Sequence, residues 1–253
     1  MTVTHGRATA TTVTAATAAL LFSSGATAWA GTSDASPQQL ADQARRGLQE
    51  TNSVRLSYED HSPETSSSTT RPEALKLILD RSGNCTGVMT MGAHGGTVKI
   101  VKHGDDVWLQ PDDTFWKAEL PGQQGTHAAQ TFKNRYIHGP ASDALLKGVA
   151  AMCDLKALQR GTTGSPPRSL KEGAETTLNG TKVIPLTSQT NSTTSTLYVT
   201  AKAPHHLYRA AQKGPGTDLS LTFTDYGKPV PSKTPPASQS LDVSRFRAEL
   251  QKT

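Results

Sequence analysis

Residues 74–118 alternate between apolar and polar side chains with a period of two, and turn residues interrupt the alternation at short intervals. The apolar positions are Leu75, Leu77, Leu79, Met89, Val98, Ile100, Val107 and Leu109. A period of two places such side chains on one face of extended strands. The turns Ser82-Gly83-Asn84 and Gly104-Asp105 join neighbouring strands into hairpins. The pattern predicts an antiparallel meander whose apolar face must be covered by another part of the chain.

A helix and a strand precede the meander. Ser36, Pro37 and Gln39 form a helix start with an N-cap, a first-turn proline and a capping-box glutamine. The apolar stripe of Leu40, Ala44 and Leu48 predicts a helix that ends near residues 51–52. A strand at 54–58 follows, and then a polar loop at 60–72.

The pattern changes after the meander. A short helix is predicted at 130–137, and a longer helix at 141–158 carries Leu146 and Val149 and is capped by Ser142. A Gly- and Pro-rich connector occupies 161–168. Strand signals then return at 175–178, 183–186, 196–200, 207–211 and 219–224, with Asn179-Gly180 as a hairpin turn. A proline-rich segment at 227–236 ends the sheet, and Asp242 caps a final helix that reaches Leu250.

This order of elements predicts an α+β fold. Only 34% of the residues are hydrophobic and 5% aromatic, which favours a thin layered structure over a deep core. One strongly curved antiparallel sheet with helices on its concave face accounts for the order. Residues 31–253 are predicted to form this single domain.

The first thirty residues have a different composition. Arg7 precedes an Ala-, Thr- and Leu-rich stretch at 8–22, and Ala28-Trp29-Ala30 supplies small residues for a signal peptidase. Residues 1–30 are therefore predicted to be a signal peptide cleaved near Ala30. A transmembrane anchor is the alternative, but the apolar run is short and rich in threonine. The mature protein is expected to be secreted or associated with the cell envelope.

Cys85 and Cys153 are the only cysteines of the chain. In an oxidising compartment two such thiols most often form a disulfide. A catalytic thiol is the weaker interpretation, because no matched base lies near either cysteine in the sequence.

Charge and motifs argue against several functional classes. Without residues 1–30 the formal charge falls from +5 to +4, and the basic residues are scattered, so no nucleic-acid partner is predicted. His205 and His206 are adjacent, so on a strand they point to opposite faces, and no metal site or cofactor is predicted. Asp105-Asp106 and Asp112-Asp113 are interpreted as hairpin-turn residues. No nucleophile-elbow motif occurs, and no catalytic residue is predicted.

The densest aromatic cluster contains Trp108, Phe115 and Trp116. It is equally compatible with the wall of a ligand cavity and with ordinary packing of strands on helices. Both interpretations remain open at this point.

Several segments resemble exported LolA-like proteins of actinobacteria, relatives of the LppX and LprG lipoproteins. The first-half features are Asp80, Gly83, Gly96, Gly104-Asp105, Trp108 and Trp116-Lys117. The second-half features are Thr177 to Gly180, Leu197-Tyr198-Val199, Ala203-Pro204, Arg209 and Phe223 to Gly227. The resemblance covers about residues 36–250. The lipoprotein members carry a cysteine directly after the signal, and this chain has Gly31-Thr32 there, so a free protein is implied.

The resemblance implies a half-open antiparallel barrel wrapped around helices, with an apolar cavity that takes lipid or acyl chains. The expected partner is therefore a lipid or another apolar ligand, held by a monomer with peripheral contact to a membrane. The expected ligand-binding residues are Leu77, Leu79, Met89, Val98, Ile100, Val107, Leu109, Leu146 and Val149. A charged residue in place of Ile100 is then expected to reduce ligand uptake without unfolding the protein.

A protein-interaction or envelope-sensing module with a closed core is the alternative function. Its candidate contact segments are residues 60–72 and 227–236. A filled core would favour this module, and an enzyme ranks third because no constellation of residues supports one.

Overall fold

The computed structural model describes residues 35–162 and 169–251. The predicted signal peptide and residues 163–168 of the connector lie outside the described residues. Within them, the α-helices are α1 Pro37–Glu50, α2 Pro63–Ser66, α3 Asp113–Glu119, α4 Gly122–Thr131, α5 Lys147–Met152, α6 Leu155–Gly161 and α7 Val243–Leu250. The first seven strands are β1 Ser53–Asp60, β2 Pro72–Asp80, β3 Cys85–Met91, β4 Thr97–His103, β5 Asp106–Pro111, β6 Tyr136–Pro140 and β7 Lys171–Glu172. The remaining strands are β8 Thr176–Leu178, β9 Thr181–Thr190, β10 Thr193–Thr200, β11 Leu207–Gly214, β12 Thr217–Thr224 and β13 Ser240–Asp242.

The described strands form one sheet in the order β13-β6-β5-β4-β3-β2-β1-β12-β11-β10-β9-β7, and β8 pairs with β9 beside β7. The sheet is curved and does not close. Every neighbouring pair is antiparallel except β13 and β6, which are parallel. The fold is α+β, with helices on the inner side of a half-barrel.

Helix α1 begins and ends where the sequence predicts. The Ser36 hydroxyl accepts a hydrogen bond from the Gln39 backbone N–H at 3.3 Å, and the Gln39 side chain accepts one from the Ser36 N–H at 2.7 Å. Leu40, Ala44 and Leu48 are buried along one stripe. The apolar stripe therefore packs α1 against the sheet, and the capping box satisfies its first amides.

The predicted meander is present as β2 to β5. In register, Leu77 pairs with Gly87 and Gly87 with Ile100, and Ile100 pairs in turn with Leu109. Residues that pair directly across strands share a face of the sheet. The leucines of β2 and the apolar residues of β4 and β5 therefore form one continuous inner surface.

The meander ends earlier than predicted, because residues 113–119 form helix α3. The Asp112 carboxylate accepts a hydrogen bond from the Phe115 N–H at 2.7 Å and so caps this helix. The interpretation of Asp112-Asp113 as hairpin-turn residues was wrong: Asp112 is an N-cap. Asp105 and Asp106 lie at the β4–β5 turn, as expected.

Two predictions between residues 122 and 158 were wrong. No helix spans residues 130–137: helix α4 ends at Thr131, and strand β6 begins at Tyr136. The single helix predicted at 141–158 is split into α5 and α6. Asp154 caps α6 by accepting a bond from the Ala157 N–H at 2.9 Å, and Ser142 caps neither helix. A residue whose side chain can cap a new helix breaks a long apolar repeat in this way.

The loop at 60–72 contains the short helix α2, tied to the end of β1. Asp60 accepts hydrogen bonds from the Tyr58 hydroxyl at 2.9 Å and the Thr65 hydroxyl at 2.8 Å. Burial opposes ionisation of Asp60, but these bonds and those from Ser62 outweigh it and hold the pKa below its ordinary value. The carboxylate thus organises the loop.

The strands predicted after residue 175 are present as β8 to β12. Asn179 and Gly180 form the turn, with φ of 47° and 80°, the left-handed backbone that a two-residue hairpin needs. The prediction that the sheet ends at the proline-rich segment was wrong. Ser240–Asp242 forms β13 and extends the opposite edge beside β6 before Asp242 caps α7.

Candidate apolar site between the sheet and its helices

The inner face of the sheet and the helices enclose one large cluster of buried apolar side chains. Eight of the nine residues predicted to bind ligand belong to it: Leu77, Leu79, Met89, Val98, Ile100, Val107, Leu109 and Leu146. Val149 is half-buried and packs against the same cluster. The structure therefore brings all nine together, and the face on which they lie is the inner one.

The packing of these residues is tight. Leu77, Ile100, Val107 and Leu146 have 0% of their surface exposed. Helix α1 contacts β10, β11 and α6, and its leucines belong to the same cluster. Protein side chains therefore fill the centre of the predicted site.

The inner surface is less completely covered towards β1, β10 and β12. Tyr58, Leu197 and Leu221 pack against the buried cluster and are themselves only half-buried. Leu221 pairs with Tyr58 on one side and with Ala210 on the other. The apolar surface therefore continues past the helices into a partly exposed region. The sequence analysis did not name these residues as ligand-binding, although Tyr58 and Leu221 lie in predicted strands whose apolar residues alternate with a period of two.

Helices α1, α5 and α6 form the cover of the inner face, and α5 is the most loosely packed of the three. None of its residues is buried, whereas Leu146 before it and Cys153 after it both have 0% of their surface exposed. Helix α6 is held more firmly, because the Gln159 amide donates to the Leu48 and Thr51 carbonyls at 2.9 Å each. The segments on both sides of α5 are thus anchored, and α5 itself is held less firmly than they are.

Cys85 and Cys153 form the predicted disulfide, with 5.5 Å between their Cα atoms. Cys85 begins β3 and Cys153 lies between α5 and α6. Both belong to the buried cluster. The bond therefore joins the helical cover directly to the inner face of the meander.

The predicted aromatic cluster divides between two places. Trp116 lies in a second core, formed with residues of α4, α7, β6 and β13: Ala128, Ala129, Phe132, Ile137, Leu241, Val243 and Phe246. Trp108 alternates with Val107 and Leu109, which places it on the outer face, where it stacks on His138 at 4.6 Å between ring centroids. Only Phe115 packs against both clusters. Ordinary packing therefore accounts for Trp108 and Trp116.

His206 lies between α1 and the end of the sheet. Its ring stacks on Tyr226 with centroids 4.4 Å apart, and its buried Nδ1 has no hydrogen-bond partner in the part of the chain that the structure describes. A Cβ atom added at Gly47 of α1 would lie 2.9 Å from this nitrogen. Burial lowers the pKa of His206, because the charged ring would be poorly solvated there.

We expect stability to fall on acidification because of His206. In the unfolded chain His206 has the ordinary pKa of about 6.5 and takes up a proton below that pH. In the folded protein its pKa is lower, so it stays neutral to a lower pH. The free energy of unfolding should therefore decrease as the pH falls below about 6.5 and level off below the folded pKa. Thermal melts between pH 7.5 and 5 should show this decrease, and His206→Phe, which keeps the ring stacked on Tyr226, should reduce it.

The control is His127→Gln, at an exposed position of α4. It should keep the pH dependence of the parent protein. An unchanged slope in His206→Phe would show that other groups cause the loss.

Within residues 35–162 and 169–251, no group of three or more His, Cys, Asp or Glu side chains is arranged to hold a metal ion. In the same part of the chain, no helix is long and apolar enough to cross a membrane.

Comparison with solved structures identifies the fold. LprF from Mycobacterium bovis superposes with a TM-score of 0.54 at 12% identity, covering 79% of this chain and 97% of that one. LppX from Mycobacterium tuberculosis gives 0.45 at 14% identity, with 79% and 100% covered. A LolA superfamily protein from Nitrosomonas europaea gives 0.24 at 10%, with 78% and 96% covered. The superposition on LprF assigns the LolA-like half-barrel fold to this protein.

The LolA-like assignment rests on three-dimensional structure. No protein-family profile matches the sequence, and no curated protein is significantly similar to it. The superposition on LprF covers nearly the whole of that chain. The LolA-like half-barrel is thus the shared feature, and function has to be argued from the site itself.

Proposed function

We propose that this LolA-like protein is an exported binding protein that holds a lipid or acyl chain between its curved sheet and its helices. The observation that carries the proposal is the continuous apolar inner surface, which extends past the helices to the half-buried Tyr58, Leu197 and Leu221. The resemblance to lipid-carrying relatives supports the same class of ligand. Export is proposed from the composition of residues 1–30.

An apolar ligand would be held mainly by removal of its surface from water. Each buried methylene contributes about 0.8 kcal/mol, and binding entropy and rearrangement of the cover reduce the total. The inner surface offers few polar groups that could orient a chain. Selectivity for chain length is therefore expected to be modest.

We further propose that the ligand enters beside α5. None of its residues is buried, whereas Leu146, Cys153 and Gln159 anchor the segments on either side. A chain that inserts next to Val149 would displace few buried contacts. Entry there would require only one short helix to move.

Uptake of a fluorescent fatty acid such as cis-parinaric acid by delipidated residues 31–253 tests the proposal. Val149→Asp places a charge beside the proposed entrance and should weaken uptake about tenfold or more. The matched control is Val88→Asp, at a valine on the outer face with 36% of its surface exposed, which should leave uptake unchanged. Absence of saturable uptake, or equal loss in both variants, would contradict the proposal.

The structure changes the choice of test residue. Ile100 has no exposed surface, so a charge there would be buried among apolar side chains at a cost of several kcal/mol. We therefore expect a variant with a charge at Ile100 to unfold, and not to stay folded as the sequence analysis predicted. Val149 is the better position because it is half-buried.

A protein-interaction module is the second candidate function. The tight burial of Leu77, Ile100, Val107 and Leu146 favours it, because a filled core leaves recognition to the surface. Residues 60–72 and 227–236 would then supply the contacts. Folded protein that takes up no lipid is the outcome that would select this module.

A further inference from the structure

An open cleft of about 350 Å³ lies where the β2–β3 turn faces the junction of α5 and α6. One side is formed by the turn and by the C-terminal end of β4, the other by the two short helices and Ala141. Its lining residues comprise Arg81, Ser82, Gly83 and Lys102 on the sheet side, and Ala141, Ala150, Ala151, Cys153, Asp154 and Lys156 on the helix side. Three cations and one carboxylate thus surround a space that alanine side chains leave open.

The two cations on the sheet side are held by uncharged partners. Arg81 donates to the Gln159 side-chain oxygen at 3.2 Å and to the Gln49 carbonyl. The Lys102 ammonium donates to the carbonyls of Gly83 at 2.8 Å and Gly104 at 2.6 Å. These bonds fix the positions of the charges without neutralising them, and each group keeps N–H donors to spare.

The carboxylates near the cleft have other partners. Asp154 accepts the Ala157 N–H at 2.9 Å and lies 3.6 Å from Arg160. Asp80, at the base of the turn, accepts from the Ser82 and Asn84 backbone amides at 2.8 and 3.0 Å. None of the ion pairs among the described residues includes Arg81, Lys102 or Lys156. The field in the cleft is therefore positive.

We propose that this cleft binds a phosphate group. A phosphate oxyanion can accept from Arg81 and Lys102 together, whose positions their hydrogen bonds fix in advance, while Lys156 adds charge at the rim. Ala150 and Ala151 leave the room that it occupies. The phosphate could belong to a lipid head group or to a soluble molecule. The inference does not depend on the apolar site, because the cleft is open to solvent.

The test begins with inorganic phosphate, titrated at low ionic strength into residues 31–253 and followed by amide chemical shifts. Shifts should saturate at residues 81–83 and 150–156. Lys156→Glu should weaken binding about fivefold or more, because it reverses a rim charge without removing any bond described above. Ala151→Phe should weaken it by filling the space with no change of charge.

The matched control is Lys99→Glu, which makes the same charge change on the outer face of the strand that carries Lys102. It should keep the affinity of the parent protein. Absence of saturable shifts in the cleft, or equal weakening by Lys99→Glu, would overturn the proposal.

Vesicles distinguish the source of the phosphate. Sedimentation with phosphatidylglycerol vesicles but not phosphatidylcholine vesicles, lost in Lys156→Glu, identifies an anionic lipid head group. Phosphate binding without vesicle binding identifies a soluble phosphate ligand. Both results support the cleft, and neither requires an acyl chain to enter the interior.

Discussion

Replacing Gly87 with valine is expected to destabilise the protein by about 3 kcal/mol or more. A Cβ atom at this position would lie 1.9 Å from the Lys76 carbonyl oxygen and 2.9 Å from the Leu77 Cα. Both are backbone atoms of the paired strand β2, so the sheet itself would have to shift. The residue lies between Leu77 and Ile100 on the inner face, at the centre of the apolar surface.

Urea denaturation followed by circular dichroism measures this effect. The control is Gly148→Ala in α5, where an added Cβ meets no atom of the described residues within 4 Å. It should leave stability unchanged or raise it by up to about 1 kcal/mol. If Gly87→Val unfolds at the same urea concentration as the parent, β2 and β3 do not approach each other as described.

Removing the disulfide by replacing Cys85 and Cys153 with alanine is expected to cost about 4 kcal/mol. The bond closes a loop with a sequence separation of 68. Without the bond the unfolded chain gains conformational entropy, which lowers its free energy by about 4 kcal/mol. The lost sulfur packing in the core adds to it. The measurement is the free energy of unfolding by urea for the double variant and the oxidised parent.

The single variants separate the two contributions. Cys85→Ala and Cys153→Ala should each remove the cross-link and so show most of the destabilisation expected for the double variant. The double variant should be further destabilised only by the loss of packing of the second sulfur. A double variant within about 1 kcal/mol of the parent would show that the cross-link does not restrict the unfolded chain.

The sheet was predicted well because its strands obey a local rule. A period of two identified Leu77, Ile100 and Leu109, and the Asn179-Gly180 turn identified the hairpin that precedes β9. Their partners are mostly the next strand along the chain. Local alternation and turn chemistry therefore fix most of the antiparallel register.

The errors occurred where tertiary contacts decide the structure. Phe115 and Trp116 favour strands by propensity, yet Asp112 caps a helix there and Trp116 packs on Phe132 of the second core. Strand β6 has a single strongly apolar residue, Ile137, and is held by pairing with β5 and the distant β13. Such pairing leaves no periodic signal in the sequence.

The candidate site was predicted only in part, for the same physical reason. Alternation placed the strand residues on one face, but it could not show that helices fill the space in front of them. Nor could it reveal the cleft, because Arg81, Lys102 and Lys156 are separated along the chain and meet only through the fold. Charge clusters built from distant segments have no sequence motif.

The central claim is that the apolar interior holds a lipid, and native mass spectrometry tests it most directly. Residues 31–253, exported into an oxidising compartment and purified without detergent, would be measured intact and after organic extraction. We expect a mass excess of one lipid per protein, released by extraction and lost in Val149→Asp but retained in Val88→Asp. A bare protein that takes up no added lipid would contradict the claim and would favour the interaction module.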